Sequence, residues 1–309
     1  MPKYKILSLD GGGTRGIITA IILNRLQQEP GLSSFLDDVD LIAGTSTGGL
    51  LALSLAFGLN PGKMIETYES KGKFIFYDSI IRDILDLDRL IGAGYDNENL
   101  EIVLKDIFGS ATLDQLKKHV LITAFDLDNE AQDINKRTWK PKIFHNFEGD
   151  DNDGDELVYK VGLYTSAAPT YFTTYEGYVD GGVFANNPSM CALAQSQDLR
   201  FFESPNISDV VLLSLGTGSS LTFVEGQKHN WGYAQWAKPI VSLILDGVSG
   251  IADYECKQIL KDRYFRLAPD FQHGVNIPMD SADKIPYMID FANNIDLDKA
   301  VSWLLKNWN

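Results

Sequence analysis

The stretch Val39-Asp40-Leu41-Ile42-Ala43-Gly44-Thr45-Ser46-Thr47-Gly48-Gly49 does most to limit what this chain can fold into. An apolar run reads as a buried strand. It stops at Gly44-Thr45-Ser46-Thr47-Gly48, and an apolar helical run, Leu50 to Phe57, follows at once. G-x-S-x-G between a strand and a helix is the sequence form of a nucleophile elbow. The turn leaves no room for side chains at its ends, so Gly44 and Gly48 let strand and helix backbones approach closely. Ser46 is pushed out at the tip, where unpaired N–H groups and the helix dipole favour an anion. The same letters also fit a small-residue turn with an idle serine, so the rest of the chain has to decide.

A second glycine turn lies near the start. Ile6 to Leu9 reads as a strand, Asp10-Gly11-Gly12-Gly13-Thr14-Arg15-Gly16 follows, and a helix runs from about Thr14 to Glu29, ended by Pro30-Gly31. Bare glycine N–H groups pointing at one spot make an anion nest. Gly11-x-Gly13-x-x-Gly16 matches the dinucleotide fingerprint in form, but no acidic residue ends a second strand about 20 residues on. A sharper rival is the phosphate loop of sugar kinases and actin-like ATPases, with Asp10 handling a metal and Thr14 a phosphate. A third turn is Asp180-Gly181-Gly182, an acid at a strand end followed by two glycines.

Between and beyond these turns, further strands are expected at Val120 to Phe125, Val210 to Leu215 and Tyr264 to Leu267. Helices are expected at Pro61 to Lys71, around Leu100 to Ile107 before Gly109, at Trp236 to Val248, Ile251 to Leu260 and Leu297 to Trp308. Lys73 to Tyr77 reads as core packing or as one wall of an acyl-chain pocket. Trp231, Tyr233 and Trp236 read as core or as a lipid-facing edge. The acidic loop Glu148 to Glu156 fails the EF-hand register, because Gly154 at position 6 puts Gly149 at position 1 and Lys160 at position 12; a solvated loop is expected.

The formal net charge of -15 disfavours nucleic acid as a partner and steady docking on anionic lipid. Any lipid-facing surface is then expected to be a local apolar patch. Cys191 and Cys256 read as buried thiols of a reducing compartment. No apolar run is long enough for a membrane span or a signal h-region, so a soluble cytoplasmic protein is expected, with secretion lacking a cleaved signal left open.

A serine needs a partner to take its proton. Of the four histidines, His119, His145, His229 and His273, only His273, late and after Asp270, fits a Ser-acid-His order, and none lies in a glycine-framed turn. Asp180 does lie in one. A buried carboxylate beside Ser46 can act as base if its pKa is raised, with Gly11-Gly12-Gly13 as oxyanion nest.

These three turns, in this order, resemble the patatin-like phospholipases. The blocks Leu121 to Leu127, Ser166 to Phe172, Ala185-Asn186-Asn187-Pro188 and Leu213 to Gly218 are similar to the family as well, so the resemblance spans about residues 4 to 220. It implies one domain over residues 1–309, with a helical C-terminal part from about 221, folded as a three-layer α/β/α sandwich around a mainly parallel sheet. It implies a Ser–Asp dyad, Ser46 as nucleophile and Asp180 as base, with Gly11, Gly12, Gly13 and Arg15 framing the oxyanion hole and no metal or cofactor. The expected substrates are phospholipids, lysophospholipids or galactolipids, met at a membrane or micelle surface. Two alternatives stay open: a regulated effector or storage protein with a weak or silent site, and the ATP-dependent kinase.

Overall fold

Strand side chains alternate between two faces, and the strands here are apolar on both. Leu7, Leu9, Ile42, Ile122 and Leu213 point to one face of a central sheet; Ile6, Leu41, Leu121 and Leu212 point to the other. Such strands must be covered by helices on both sides. The computed structural model describes residues 2–76, 94–149, 151–200, 204–221, 223–224 and 230–308. Tyr77, Asp150 and His229 lie outside the described residues, as does the side chain of Tyr233.

In chain order, β1 is Tyr4–Leu9, α1 Gly16–Gln28, β2 Leu41–Thr45, α2 Thr47–Phe57, α3 Pro61–Ile75 and α4 Glu98–Phe108. β3 is His119–Asp126, β4 Lys140–His145, α5 Val158–Ser166, β5 Tyr178–Asp180, α6 Gly182–Ala185 and α7 Ser189–Ser196. β6 is Val210–Leu215, α8 Tyr233–Leu260, β7 Tyr264–Leu267, α9 Ile285–Asn293 and α10 Asp298–Asn307. The sheet runs β4-β3-β2-β1-β6-β7, with β5 also on β3. β3, β2, β1, β6 and β7 are parallel, while β4 and β5 run antiparallel to β3. Helices α1, α2, α4, α5, α9 and α10 bury their apolar stripes on one face; α7 and α8 cover the other. This is a three-layer α/β/α sandwich around a mostly parallel sheet.

Local chemistry sets the boundaries. Asn60 accepts from Lys63 N (2.9 Å) to cap α3, with Pro61 in its first turn. Gly58, at φ 104°, closes α2 in the left-handed conformation. The helix expected to break near Gly250 does not break: α8 runs unbroken from Tyr233 to Leu260 through Gly247 and Gly250. Two glycines weaken a helix by roughly 1 kcal/mol each, which packing on α6 and α7 offsets. The strand β4 has no sequence signal, because Pro141 argues against one; it is an edge strand, where proline is tolerated. The acidic loop is only partly solvated. Asp153 is turned inward, pairing with Lys142 and accepting from His145 N at 3.0 Å. Among the described residues, no helix is long and apolar enough to cross a membrane.

The C-terminal part is built into this frame. β7 hydrogen-bonds to β6 in parallel register, and Met279 O accepts from Thr14 N in the glycine loop (2.7 Å). Trp308 is fully buried, with its indole N–H on Phe35 O at 3.0 Å.

Candidate active site

Ser46 stands between β2 and α2 at φ 54°, ψ −127°. A non-glycine residue held there stores roughly 1–3 kcal/mol of strain. The surroundings enforce it. A Cβ on Gly44 would lie 2.3 Å from Gly48 O, and one on Gly48 would lie 2.2 Å from Leu9 O, so the two backbones cross where only glycine fits. Ser46 N donates to Thr165 Oγ1 (2.8 Å), which donates to Thr123 O (2.6 Å). Thr45 Oγ1 donates to Ala185 O (2.6 Å) and accepts from Thr123 Oγ1 (2.7 Å). Three buried threonines thus lock the turn to β3, α5 and α6.

Asp180 closes β5, and the structure brings it to Ser46. The Ser46 hydroxyl lies close enough to its carboxylate to hold the carboxyl pKa down, and Gly182 N donates to Oδ1 at 2.7 Å. Both residues are buried, at 8% and 6% exposure, and among the described residues no cation pairs with Asp180. Burial pushes its pKa from 3.8 up to about 6; the Ser46 and Gly182 hydrogen bonds only temper the rise. A shift of that size costs the charged form about 3 kcal/mol. A carboxylate hydrogen-bonded to a serine, without a counter-ion and with a pKa near 6, can accept that serine's proton at neutral pH.

The glycine loop after β1 lies against this pair. A Cβ on Gly11 would be 3.3 Å from Ser46 Cβ. Gly11 N–H is spent on Asn186 O (3.0 Å), so it is no free donor. The N–H groups of Gly12 and Gly13 have no partner among the described residues, and each of these glycines lines a cavity with Ser46. Gly13 adopts φ 59°, and a Cβ there would strike Met279 O. Arg15 braces the loop from behind: Nε donates to Gly12 O (3.3 Å) and Nη1 to Gly218 O (3.0 Å). Since the peptide is trans, the Gly13 N–H points away from Arg15. Of the other glycines, Gly181 fits tightly against Thr123 and Gly182 against Leu245 and Asp180 Oδ1.

Two apolar cavities open beside Ser46. One, of about 70 Å³, is lined by Leu50, Tyr68, Ile75, Phe76 and Phe172. The other, of about 100 Å³, is lined by Val183, Val241, Ile244, Leu245 and Met279. Phe76, from the aromatic run Lys73 to Tyr77, is therefore pocket wall as well as core, packing on Phe172 at 5.6 Å between ring centroids.

No histidine lines either cavity among the described residues. His119 stacks on Phe147 (4.5 Å), His145 is buried at the end of β4 with its pKa lowered by burial, and His273 is exposed. Asp10 is also committed: Arg266 of β7 grips both its carboxylate oxygens, Nη1 lying 3.1 Å from Oδ1. That pairing opposes the kinase expectation, which needs Asp10 free for a metal.

Sequence reasoning missed Thr123, Thr165, Asn186, Met279 and Arg266. Thr123 and Thr165 did carry a signal, as polar residues inside apolar runs, which must find partners when buried. Arg266 carried none, since its partner is 256 positions away.

The cGAMP-activated phospholipase of Vibrio cholerae is 30% identical, over 99% of this chain and 88% of that protein. Protein teg of Priestia megaterium is 28% identical over the whole of both chains, and patatin-like protein 4 of Arabidopsis thaliana is 28% identical over 92% of this chain and 81% of its own. A solved structure, VipD from Legionella pneumophila, aligns with 94% of this chain and 67% of its own at 12% identity and a TM-score of 0.43. The family model described as patatin-like phospholipase matches residues 7–193, more than half the chain, and takes in the glycine loop, the Ser46 turn and Asp180 together. This chain belongs to the patatin-like phospholipase family and is an ester hydrolase.

Proposed function

We propose that the protein hydrolyses acyl esters of phospholipids, lysophospholipids or galactolipids on a Ser46–Asp180 dyad, with no histidine and no metal. The observation that carries this is the Ser46 hydroxyl beside a buried carboxylate that no cation pairs with among the described residues. Ser46 Oγ attacks the ester carbonyl while Asp180 takes its proton. The N–H groups of Gly12 and Gly13 receive the oxyanion, in a loop shaped by Gly11 and braced by Arg15. Collapse expels the alcohol, which takes the proton back from Asp180, and leaves an acyl-Ser46. Water, deprotonated by Asp180, attacks this ester; Ser46 Oγ leaves with that proton and the fatty acid is released. The two apolar cavities suit acyl chains.

The lipid surface would meet α8. Trp236, Ile240, Leu243, Ile244 and Ile251 recur at helical spacing and are 36–53% exposed. Ile244 also lines a Ser46 cavity, so this stripe leads into the site. With a net charge of -15, contact would be apolar, on neutral or zwitterionic surfaces. The free thiols of Cys191 and Cys256 fit a cytoplasmic setting.

Phosphatidylcholine vesicles, with released fatty acid followed by mass spectrometry, test the reading. Wild type should release fatty acid in the presence of a chelator and Ser46→Ala should release none; turnover retained by Ser46→Ala contradicts it. The name of the Vibrio cholerae relative supports a second reading, a hydrolase gated by an activator. It predicts an inert wild type that cGAMP switches on.

A further inference from the structure

The order β3-β2-β1-β6-β7 hides a change of direction. From β1 the chain moves by way of α1 to β2 on one side. From β6 it moves by way of α8 to β7 on the other. Such a switch opens a crevice at the carboxyl ends of the two central strands, where open α/β sheets bind ligands. A cleft of about 410 Å³ occupies that place, walled by the segments after β1, β6 and β7 and by α8. Of its walls the mechanism uses only Gly11 and Arg15, and those only to shape and brace the glycine loop. It shares Tyr171, Asn186, Leu245 and Met279 as walls with a Ser46 cavity.

Its chemistry is the reverse of the apolar cavities. Helix α8 turns Ser242, Asp246, Ser249 and Asp253 to the cleft at helical spacing, away from its exposed apolar stripe. Asp253 Oδ2 accepts from Lys257 (2.6 Å), but Oδ1 is a buried acceptor with no partner. Buried acceptors are rarely left so unless something completes them. Across the cleft stands Arg15. It donates to two carbonyls and makes no ion pair among the described residues. Asp246 is near enough for the two charges to act on each other. Arg266 and Asp10 neutralise one another. Asp253 also acts on Arg266, and with Asp270 the four lining carboxylates outnumber the two guanidiniums: a guanidinium beside carboxylates, net acidic.

We propose that this cleft is a headgroup subsite for zwitterionic phospholipids, with the phosphate toward Arg15 and the ammonium toward Asp246 and Asp253. The identity of the lipid rests on the hydrolase reading; the charge pattern does not. The acidic excess disfavours ligands bearing two phosphates, such as a cyclic dinucleotide, and headgroups without a cation.

Glycerophosphocholine titrated into inert Ser46→Ala, followed by calorimetry, tests binding apart from turnover. Saturable binding is expected, weakened at least tenfold when Asp246→Asn and Asp253→Asn are added, with glycerol 3-phosphate binding at least tenfold more weakly. No saturable binding, or affinity indifferent to both substitutions, overturns the proposal; so does cGAMP displacing glycerophosphocholine at lower concentration. Dihexanoyl lipids in monomeric solution give a second reading. Wild type should favour phosphatidylcholine over phosphatidylglycerol at least tenfold in kcat/KM, and Asp253→Lys should reverse the order. A misfolded variant loses both substrates together, so the ratio reports the cleft. Headgroup binding with no ester hydrolysis, cGAMP present or absent, would sink the hydrolase reading alone; hydrolysis indifferent to the headgroup would sink this one alone.

Discussion

Two strands end in the same three letters. β1 runs into Asp10-Gly11-Gly12 and β5 into Asp180-Gly181-Gly182, and both aspartates are buried, at 3% and 6% exposure. Asp10 is clasped by Arg266 through both oxygens, with Ser214 Oγ accepting from the same guanidinium at 2.7 Å. Burial alone would lower the Arg266 pKa; Asp10 turns the shift upward, so the arginine stays charged. Among the described residues, Asp180 has only a hydroxyl and a backbone N–H beside it. Local sequence therefore does not decide whether such a carboxylate is tied into an ion pair or left beside a hydroxyl. What decides is the side chain the fold delivers: a guanidinium from β7 in one case, a serine hydroxyl from the start of α2 in the other.

The sharpest way to break that comparison is to remove the cation. Arg266→Met leaves Asp10 buried and unpaired, and should lower stability by about 3–5 kcal/mol, read as a fall in the denaturant midpoint. A loss under 1 kcal/mol would mean that the pair is not structural. Burial raises the pKa of both aspartates, but at the second site no ion pair is lost and removing the charge should stabilise. With a folded pKa of about 6 against 3.8, the folded state binds the Asp180 proton more tightly than the unfolded chain does. Stability from this group is therefore lost as pH rises from about 4 through 6. Asp180→Asn should be more stable than wild type by about 1–3 kcal/mol at pH 8, the gain vanishing at pH 4, as paired melts at both pH values would record. The glycines sharpen the contrast. A Cβ on Gly181 would lie 2.5 Å from the Thr123 carbonyl carbon, whereas one on Gly12 meets only the Thr217 side chain. Gly181→Ala should cost about 1–3 kcal/mol and more than Gly12→Ala, measured by denaturation. In kinetics, kcat/KM should climb tenfold per pH unit below about 6 and level off above it. His273→Ala and His145→Ala should change it less than twofold.

Much of this was legible in the sequence because its causes are local. Gly44 and Gly48 frame Ser46 within five residues, and the apolar runs at Ile6 to Leu9, Val120 to Phe125 and Val210 to Leu215 became β1, β3 and β6. Tyr264 to Leu267 became β7 residue for residue. Asp180 was legible because its glycines are its neighbours. The Asp10–Arg266 pair was not, since nothing near either residue names the other. Nor was the silence of Gly11 as a donor, which depends on Asn186 O arriving from far along the chain. Sequence alone splits α8 into two pieces because glycines are local punctuation, while the packing that overrides them is not. The same helix has polar residues toward a cleft and apolar ones toward solvent, a pattern that spacing shows but only the fold can orient.

The central claim is that Asp180, with no cation and no histidine, is the base for Ser46. The most direct test is kcat/KM for a chromogenic medium-chain ester with Asp180→Asn beside wild type, both confirmed folded by thermal melting. A fall of about 10²–10⁴-fold in a protein at least as stable as wild type is the predicted result. An Asp180→Asn protein that turns over within a few fold of wild type would contradict it.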